Sequence, residues 1–262
     1  MQEYIFDAKK TRDNLVSWIK EWFSLNGPDC NAVIGISGGK DSTIAAALCV
    51  EALGKDRVIG VLMPDHSQVD IEDSYRVVKW LDIKYLTVNI GETTSAVYNS
   101  INQAMVSDKS NHSFEFTNQT KFNLPPRIRM ATLYAISQSN NGRVVNTCNL
   151  SETLLGWETR WGDAVGDFSP FANMLVSEVV AVGKLLDVPF DLVVKAPADN
   201  LCGKTDEENF GFEYATFDKY CRTGEIDDLK LKEIIDTRVA NNIFKHSPIP
   251  AFDPKLDTHS FK

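Results

Sequence analysis

The stretch GISGGKDS, residues 35–42, sets two adjacent glycines among two hydroxyls, a lysine and an aspartate. Gly38 and Gly39 let backbone amides approach an anion with no Cβ in the way, and Ser37 and Ser42 add hydroxyl donors. With Gly35, Lys40 and Asp41 they form a turn suited to phosphate. The pattern is not the P-loop G-x-x-x-x-G-K-[ST], because Asp41 follows Lys40, and no G-x-G-x-x-G is present. The plainer alternative is a glycine-rich strand-to-helix corner in which Asp41 only places negative charge at a helix N-terminus.

A second chemical stretch follows at residues 146–171. Glu152 stands at capping-box spacing from Asn149, so it reads either as a cap partner or as a carboxylate for a cation. Asp163 and Asp167 are four apart, but Gly156, Gly162, Gly166 and Pro170 favour a loop over a helix. Both are open to a reading as turn-forming aspartates, and for Asp167 that reading is the stronger one. Arg127, Arg129, Arg160, Lys195 and Lys204 supply local positive charge, and guanidinium forks suit phosphate and carboxylate oxygens.

These residues must be positioned by regular elements. An apolar spacing over residues 3–24 predicts an amphipathic first helix. NAVIGIS is a buried strand, and DSTIAAALCVEAL is the helix after it. RVIGVLMP, KYLTVNI and GRVVNTC read as three further strands, separated by helical stretches at IEDSYRVVKWLDI, TTSAVYNSINQAMV and RIRMATLYAIS. Such alternation predicts a parallel sheet in an α/β layered architecture. Residues 107–121 read as a surface loop, residues 149–173 as a long loop of the kind that carries function, and SEVVAVGKLLDV as a helix. TDEENFGFEYATFDKY reads as one helix opened by Thr205 and Glu208, with Phe210, Tyr214 and Phe217 on a core stripe. No linker or repeat divides the chain, so residues 1–262 are expected to form one domain.

Composition narrows the class. A net charge of -9 argues against a nucleic-acid partner. No apolar run long enough to span a bilayer is present, and the first residues lack the order of a signal peptide. Membranes are therefore not expected as partners, and a cytoplasmic location is. Five scattered cysteines without a C-x-x-C argue against disulfides and a zinc site. Four unpaired histidines make a histidine metal site unexpected.

The turn at 35–42 resembles the S-G-G-x-D-S loop of the ATP pyrophosphatases. Four more stretches, FNLPPRIRMATLY, NTCNLSETLLGWETRWGDAVGDFSPF, KAPADNL with GKTDEENFGFEYATFDKY, and NNIFKHSPIP, extend the resemblance to the ammonia-dependent NAD synthetase family, from about residue 30 to about residue 250. The resemblance implies a Rossmann-like single-domain α/β/α fold, a homodimer and ATP as co-substrate. It also implies amidation of nicotinic acid adenine dinucleotide by free ammonia, with release of AMP and pyrophosphate. It places Mg2+ on Asp41 and Glu152, and Asp163 beside the reacting carboxyl, where it would hold ammonium and help remove its proton. Asp163, Lys204 and Asp41 form the implied catalytic set. Gly35, Ser37, Gly38, Gly39, Lys40, Asp41, Ser42, Arg129 and Thr147 form the ATP set. Asn123, Arg127, Arg160, Asp167, Lys195 and Lys245 form the substrate set, with Arg160 matching a position near ATP or its metal. Lys204, Asp206 and Glu207 fall in a mobile loop that closes over the site, near residues 200–209. His246 reads as a surface residue.

Three positions depart from the family pattern. Val176 stands in place of a phosphate-contacting lysine, Asn200 in place of an aspartate, and Phe244 in place of a histidine. Lys184 or Lys204 is the expected compensation for the lost lysine. A diverged paralogue amidating another acid is the alternative function. A sulfur transferase acting on RNA would need paired cysteines and a basic surface, and a nucleotide sensor would lack Asp41, Glu152 and Asp163.

Overall fold

The computed structural model describes residues 4–107, 114–193, 206–256 and 259. Helix α1 (Ala8–Asn26) starts at Asp7, whose side chain accepts from Lys10 N at 2.9 Å. It leads into β1 (Asn31–Gly35), α2 (Lys40–Leu53), β2 (Val58–Leu62), α3 (Ile71–Trp80), β3 (Lys84–Thr87) and α4 (Gly91–Ser107). Then come α5 (Asn118–Ser139), β4 (Gly142–Val144), α6 (Leu150–Leu155), α7 (Val176–Gly183), α8 (Phe190–Val193), α9 (Asp206–Phe210), α10 (Tyr214–Thr223) and α11 (Leu229–Asn242).

The four expected strands form one parallel sheet in the order β3-β2-β1-β4. Each strand alternates its faces. Ala32, Ile34, Val58 and Leu62 enter the larger core with α1, α2, α3 and α7, whereas Val33, Ile59, Val61 and Met63 pack against Ile128, Leu133 and Ile136 of α5. Helices on both faces make the layered α/β/α arrangement read from the alternation. From β1 the chain steps outward to β2 and β3, then returns to the other side of β1 with β4. The carboxyl ends of β1 and β4 therefore bound the switch point at which ligands of open α/β sheets bind.

A second apolar cluster lies behind this crevice. Leu155, Phe210, Phe212, Tyr214, Phe217 and Ile235 join α6, α9, α10 and α11.

The boundaries differ from expectation in four places. The stretch expected as one helix over 205–220 breaks at Gly211, whose φ of +80° ends α9 before α10 begins. The 149–173 loop contains α6, and α11 carries too weak an apolar stripe to be read from periodicity. Helix α5 begins at Asn118, inside the span expected as a loop, and runs through Pro125 and Pro126. Prolines read as helix breakers in sequence, but here the helix continues past them, and Ile128, Leu133 and Ile136 on its later turns pack against the sheet.

Candidate active site

The β1–α2 turn is built by its own backbone. Gly38 has a φ of +79°, and a Cβ there would lie 2.8 Å from Asp73 Cβ and 2.9 Å from Ser74 N. Only glycine fits between the turn and α3. Gly39 is the N-cap of α2 and offers no side chain to the first-turn amides, which leaves the positive end of a 14-residue helix open. Ser37 Oγ lies 3.1 Å from Ser42 Oγ and accepts from Gly39 N at 3.2 Å, so the hydroxyls brace the turn. Gly35 ends β1 on the approach to this turn.

Lys40 is turned inward. It is buried, and its Nζ lies 2.7 Å from Asp41 Oδ2. Burial pulls the ammonium down, but Asp41, Glu152 and Asp206 together outweigh it and hold Lys40 above its ordinary value. From the other side of the crevice, Asn149 caps α6 in the capping box expected with Glu152, and its Nδ2 reaches Asp41 Oδ1 at 3.3 Å. The two readings of Glu152 thus meet in one residue: it closes the cap while standing within the field of Asp41. Desolvation by surrounding protein, then the Asp41 charge, push its carboxyl up.

The chain leaves β4 through Asn146 and the half-buried Thr147, and the buried Asn146 organises the next loop. Asn146 Nδ2 donates to Asp163 O at 3.0 Å, and its Oδ1 accepts from Cys148 N and Ser169 Oγ. Asp163 Oδ1 accepts from Thr159 N at 2.9 Å, closing the 159–163 turn around Trp161, whose φ is +62°. The Asp163 residue is exposed at the mouth, yet its carboxylate is crowded by protein. That desolvation is the largest influence and raises it to about 6, against the backbone bond from Thr159 and the Arg129 charge, which hold it down. Arg129 stands near. Its Nε donates to Met63 O at 3.0 Å, and burial lowers the guanidinium while Asp65 and Asp163 oppose that effect.

The other expected contacts are divided. Asn123 accepts from Thr159 Oγ1 at 2.9 Å, and Arg127 donates to Arg160 O at 3.3 Å, so both grip the 159–160 loop from α5. Arg160 lies over the rings of Trp161 and Phe244 and donates to Ser247 O. Lys245 Nζ reaches Gly156 O and Glu158 O, fastening the same loop. Asp167 takes a structural position: Oδ2 accepts from Val144 N at 2.7 Å, bracing the end of β4. The bond joins residues 23 apart, so it is not the turn-forming use favoured for Asp167, and it commits an oxygen assigned above to substrate.

His246 is not a surface residue. It is partly buried, with Nδ1 at 2.7 Å from Oε1 of the buried Glu158. Tyr214, read as core, keeps its ring in the second apolar cluster but donates its hydroxyl to the buried Asp206 at 3.1 Å. Val176 is buried in that cluster at the N-terminus of α7. Lys184 is exposed beyond the opposite end, roughly 12 Å along the axis, so it does not replace the missing lysine. Lys195, Asn200 and Lys204, with the cap residue Thr205, lie outside the described residues. Sequence reading passed over Asn146 and Glu158, and it placed Asp206 in the loop near 200–209, whereas Asp206 opens α9. Only Asn146 carried a signal, its place directly beyond the strand that returns to β1.

An uncapped helix N-terminus, a glycine turn and facing carboxylates at a switch point define a nucleotide-binding α/β protein. The NAD synthase family model matches residues 12–248, and the chain belongs to that family. It is 35% identical to an NH(3)-dependent NAD(+) synthetase of Thermococcus sibiricus over 87% of this chain and 84% of the relative. With that of Methanosarcina acetivorans it shares 36% identity over 89% of each chain. Among solved structures it resembles NMN synthetase from Francisella tularensis, with a TM-score of 0.83 and 30% identity over 96% of this chain and all of that one. It also resembles the NH3-dependent NAD synthetase of Campylobacter jejuni, with a TM-score of 0.75 and 27% identity over 95% and 100% of the two chains. As a family member the chain is a C–N ligase.

Proposed function

We propose that this chain amidates deamido-NAD with ammonia in an ATP-dependent reaction that releases AMP and pyrophosphate. The observation that carries the reading is the convergence of the open N-terminus of α2 with Asp41, Glu152 and the Asp163 loop at one switch point. A carboxylate oxygen of the acid attacks the α-phosphorus and pyrophosphate leaves, giving a mixed anhydride with AMP. The amides of the 38–39 turn and the α2 dipole take up the phosphate charge, and Arg129 adds to it. Ammonia then attacks the acyl carbon, Asp163 accepts the proton that nitrogen loses, and AMP departs. A carboxyl raised to about 6 is ionised at neutral pH and still basic enough for that transfer.

Asp41 and Glu152 would hold Mg2+. The donor set fits, since Mg2+ takes one or two protein carboxylates and fills its shell with phosphate oxygens and water. A cation there would also oppose the burial and the Asp41 charge that raise Glu152. Held by these two carboxylates, Mg2+ would supply positive charge against the departing pyrophosphate.

Two further readings belong here. The long helices α4 and α5 bury few residues, only Gly91 and Thr94 on one and Pro125 and Ser137 on the other, and we assign this surface to a homodimer. No helix among the described residues is long and apolar enough to cross a membrane, and the free cysteines fit a cytoplasmic protein.

The resemblance to the Francisella NMN synthetase favours a second reading of the acid: the mononucleotide that corresponds to NMN. The test supplies ATP, Mg2+ and ammonium with either acid and measures amide, AMP and pyrophosphate. Deamido-NAD is expected to give the higher kcat/KM. A preference for the mononucleotide moves the substrate to that acid, and formation of ADP overturns the chemistry.

A further inference from the structure

The loop that carries Asp163 is anchored from a distant part of the chain. Lys245, His246 and Ser247, just beyond α11, all bond to residues 156–160, and Glu158 is the centre of these contacts. Glu158 is 7% exposed, and both of its oxygens are used: Oε2 accepts from Thr153 Oγ1 at 2.9 Å and Oε1 meets His246 Nδ1 at 2.7 Å. Removing His246 would leave the buried Glu158 carboxylate with only the Thr153 hydroxyl of its two side-chain partners.

Stability alone does not account for an imidazole at 246. Its second nitrogen, Nε2, is buried with no hydrogen-bond partner. A group left in that way costs about 1–3 kcal/mol, which an aliphatic side chain packed there would avoid. The place of the pair supplies the reason. Glu158 adjoins Thr159, whose amide holds the Asp163 carboxylate, and the Glu158 charge is felt at Asp163.

We propose that Glu158 and His246 are positioning residues for the amidation step: the pair fixes residues 158–160 against the C-terminal segment, so that Asp163 stays aimed at the incoming nitrogen. This rests on the reading of Asp163 given above. Adenylation depends first on the 35–42 turn, and Arg160 and Thr159 keep their separate bonds to Arg127, Ser247 and Asn123 without the pair, so the two half-reactions should separate.

The test measures acid-dependent exchange of labelled pyrophosphate into ATP beside ammonia-dependent amide formation, using the full chain with Mg2+. For His246→Ala, amide formation is expected to fall about 10- to 100-fold, as for a misplaced catalytic group, while exchange and the KM for ATP stay within about twofold. His246→Gln, which can still donate to Glu158, should recover most of the loss, and Glu158→Gln should show the same split more weakly. Equal losses in both half-reactions, no loss in either, or no recovery with a folded Gln variant would overturn the proposal. If His246→Ala fails to fold, the Gln variants decide by the same split. Absence of acid-dependent exchange in the unaltered protein is a different result, and it would sink the reading of the whole site.

Discussion

The 35–42 turn and the 156–163 loop face each other across the crevice, and they are made in different ways. The turn holds itself, with bonds between Ser37, Gly39, Ser42 and Thr43, and one glycine whose φ of +79° no other residue adopts easily. The loop has two local bonds of its own, Thr159 N to the Asp163 carboxylate and Gly162 N to Thr159 O. It is otherwise held by Asn123 and Arg127 from α5, Asn146 beyond β4, and residues 245–247. A backbone-built site is intact or lost. A site held by side chains can be loosened one contact at a time.

The largest effect that would test this contrast is Gly38→Ala. The added Cβ must enter space taken by Asp73 and Ser74, and the positive φ alone costs about 1–3 kcal/mol. Adenylation should be abolished together with a fall in Tm, both measurable by pyrophosphate exchange and thermal melting. If the variant keeps its exchange activity, the turn is not backbone-built in the sense used here.

Glu152→Gln comes next, because Glu152 joins the two regions. A glutamine can keep the capping box. Loss of a metal-binding charge should lower kcat roughly 10²- to 10³-fold. Melting in the absence of ligands should stay level or rise, since a carboxyl whose ionisation is opposed by Asp41 is gone. Activity and stability moving down together would contradict this.

A smaller, graded effect belongs to the loop. Asp163 is raised to about 6 in the folded chain, against about 3.9 for a free aspartate. Between those values the folded state holds more of this proton than the unfolded state, so this group's contribution to stability falls as pH rises through the window. Amidation needs the ionised form, and its rate at fixed free ammonia should drop about tenfold per unit below pH 6. Single-turnover rates from pH 5 to 8 would show it, and the step should disappear in Asp163→Asn.

The smallest change is expected for Asp167→Ala. Losing its bond to the Val144 amide should cost about 1–2 kcal/mol in denaturant unfolding, with the KM for the acid unchanged. A rise in that KM would return Asp167 to the substrate set.

The same contrast explains what could be read without coordinates. All four strands and the glycine turn carried local signals, because β-branched runs and glycine pairs act through their own backbone. The Asn149–Glu152 cap was also local, and it was found. Glu158 was passed over and His246 was read as a surface residue, because nothing within a few residues of either predicts the other. Tyr214 looked like core because its ring is core, and only its hydroxyl belongs to the site. Helix α5 was entered late because proline weighs heavily in a local reading and packing against the sheet weighs nothing.

Pro125 and Pro126 have a mechanical consequence. Neither has an amide hydrogen, so the carbonyls of Lys121 and Phe122 lose their usual donors, and the ladder of α5 has a gap one turn ahead of Arg127 and Arg129. The helix is therefore jointed: its opening turns can tilt or be rebuilt while Arg129 keeps its bond to Met63 O beyond β2 and Arg127 its bond to Arg160 O.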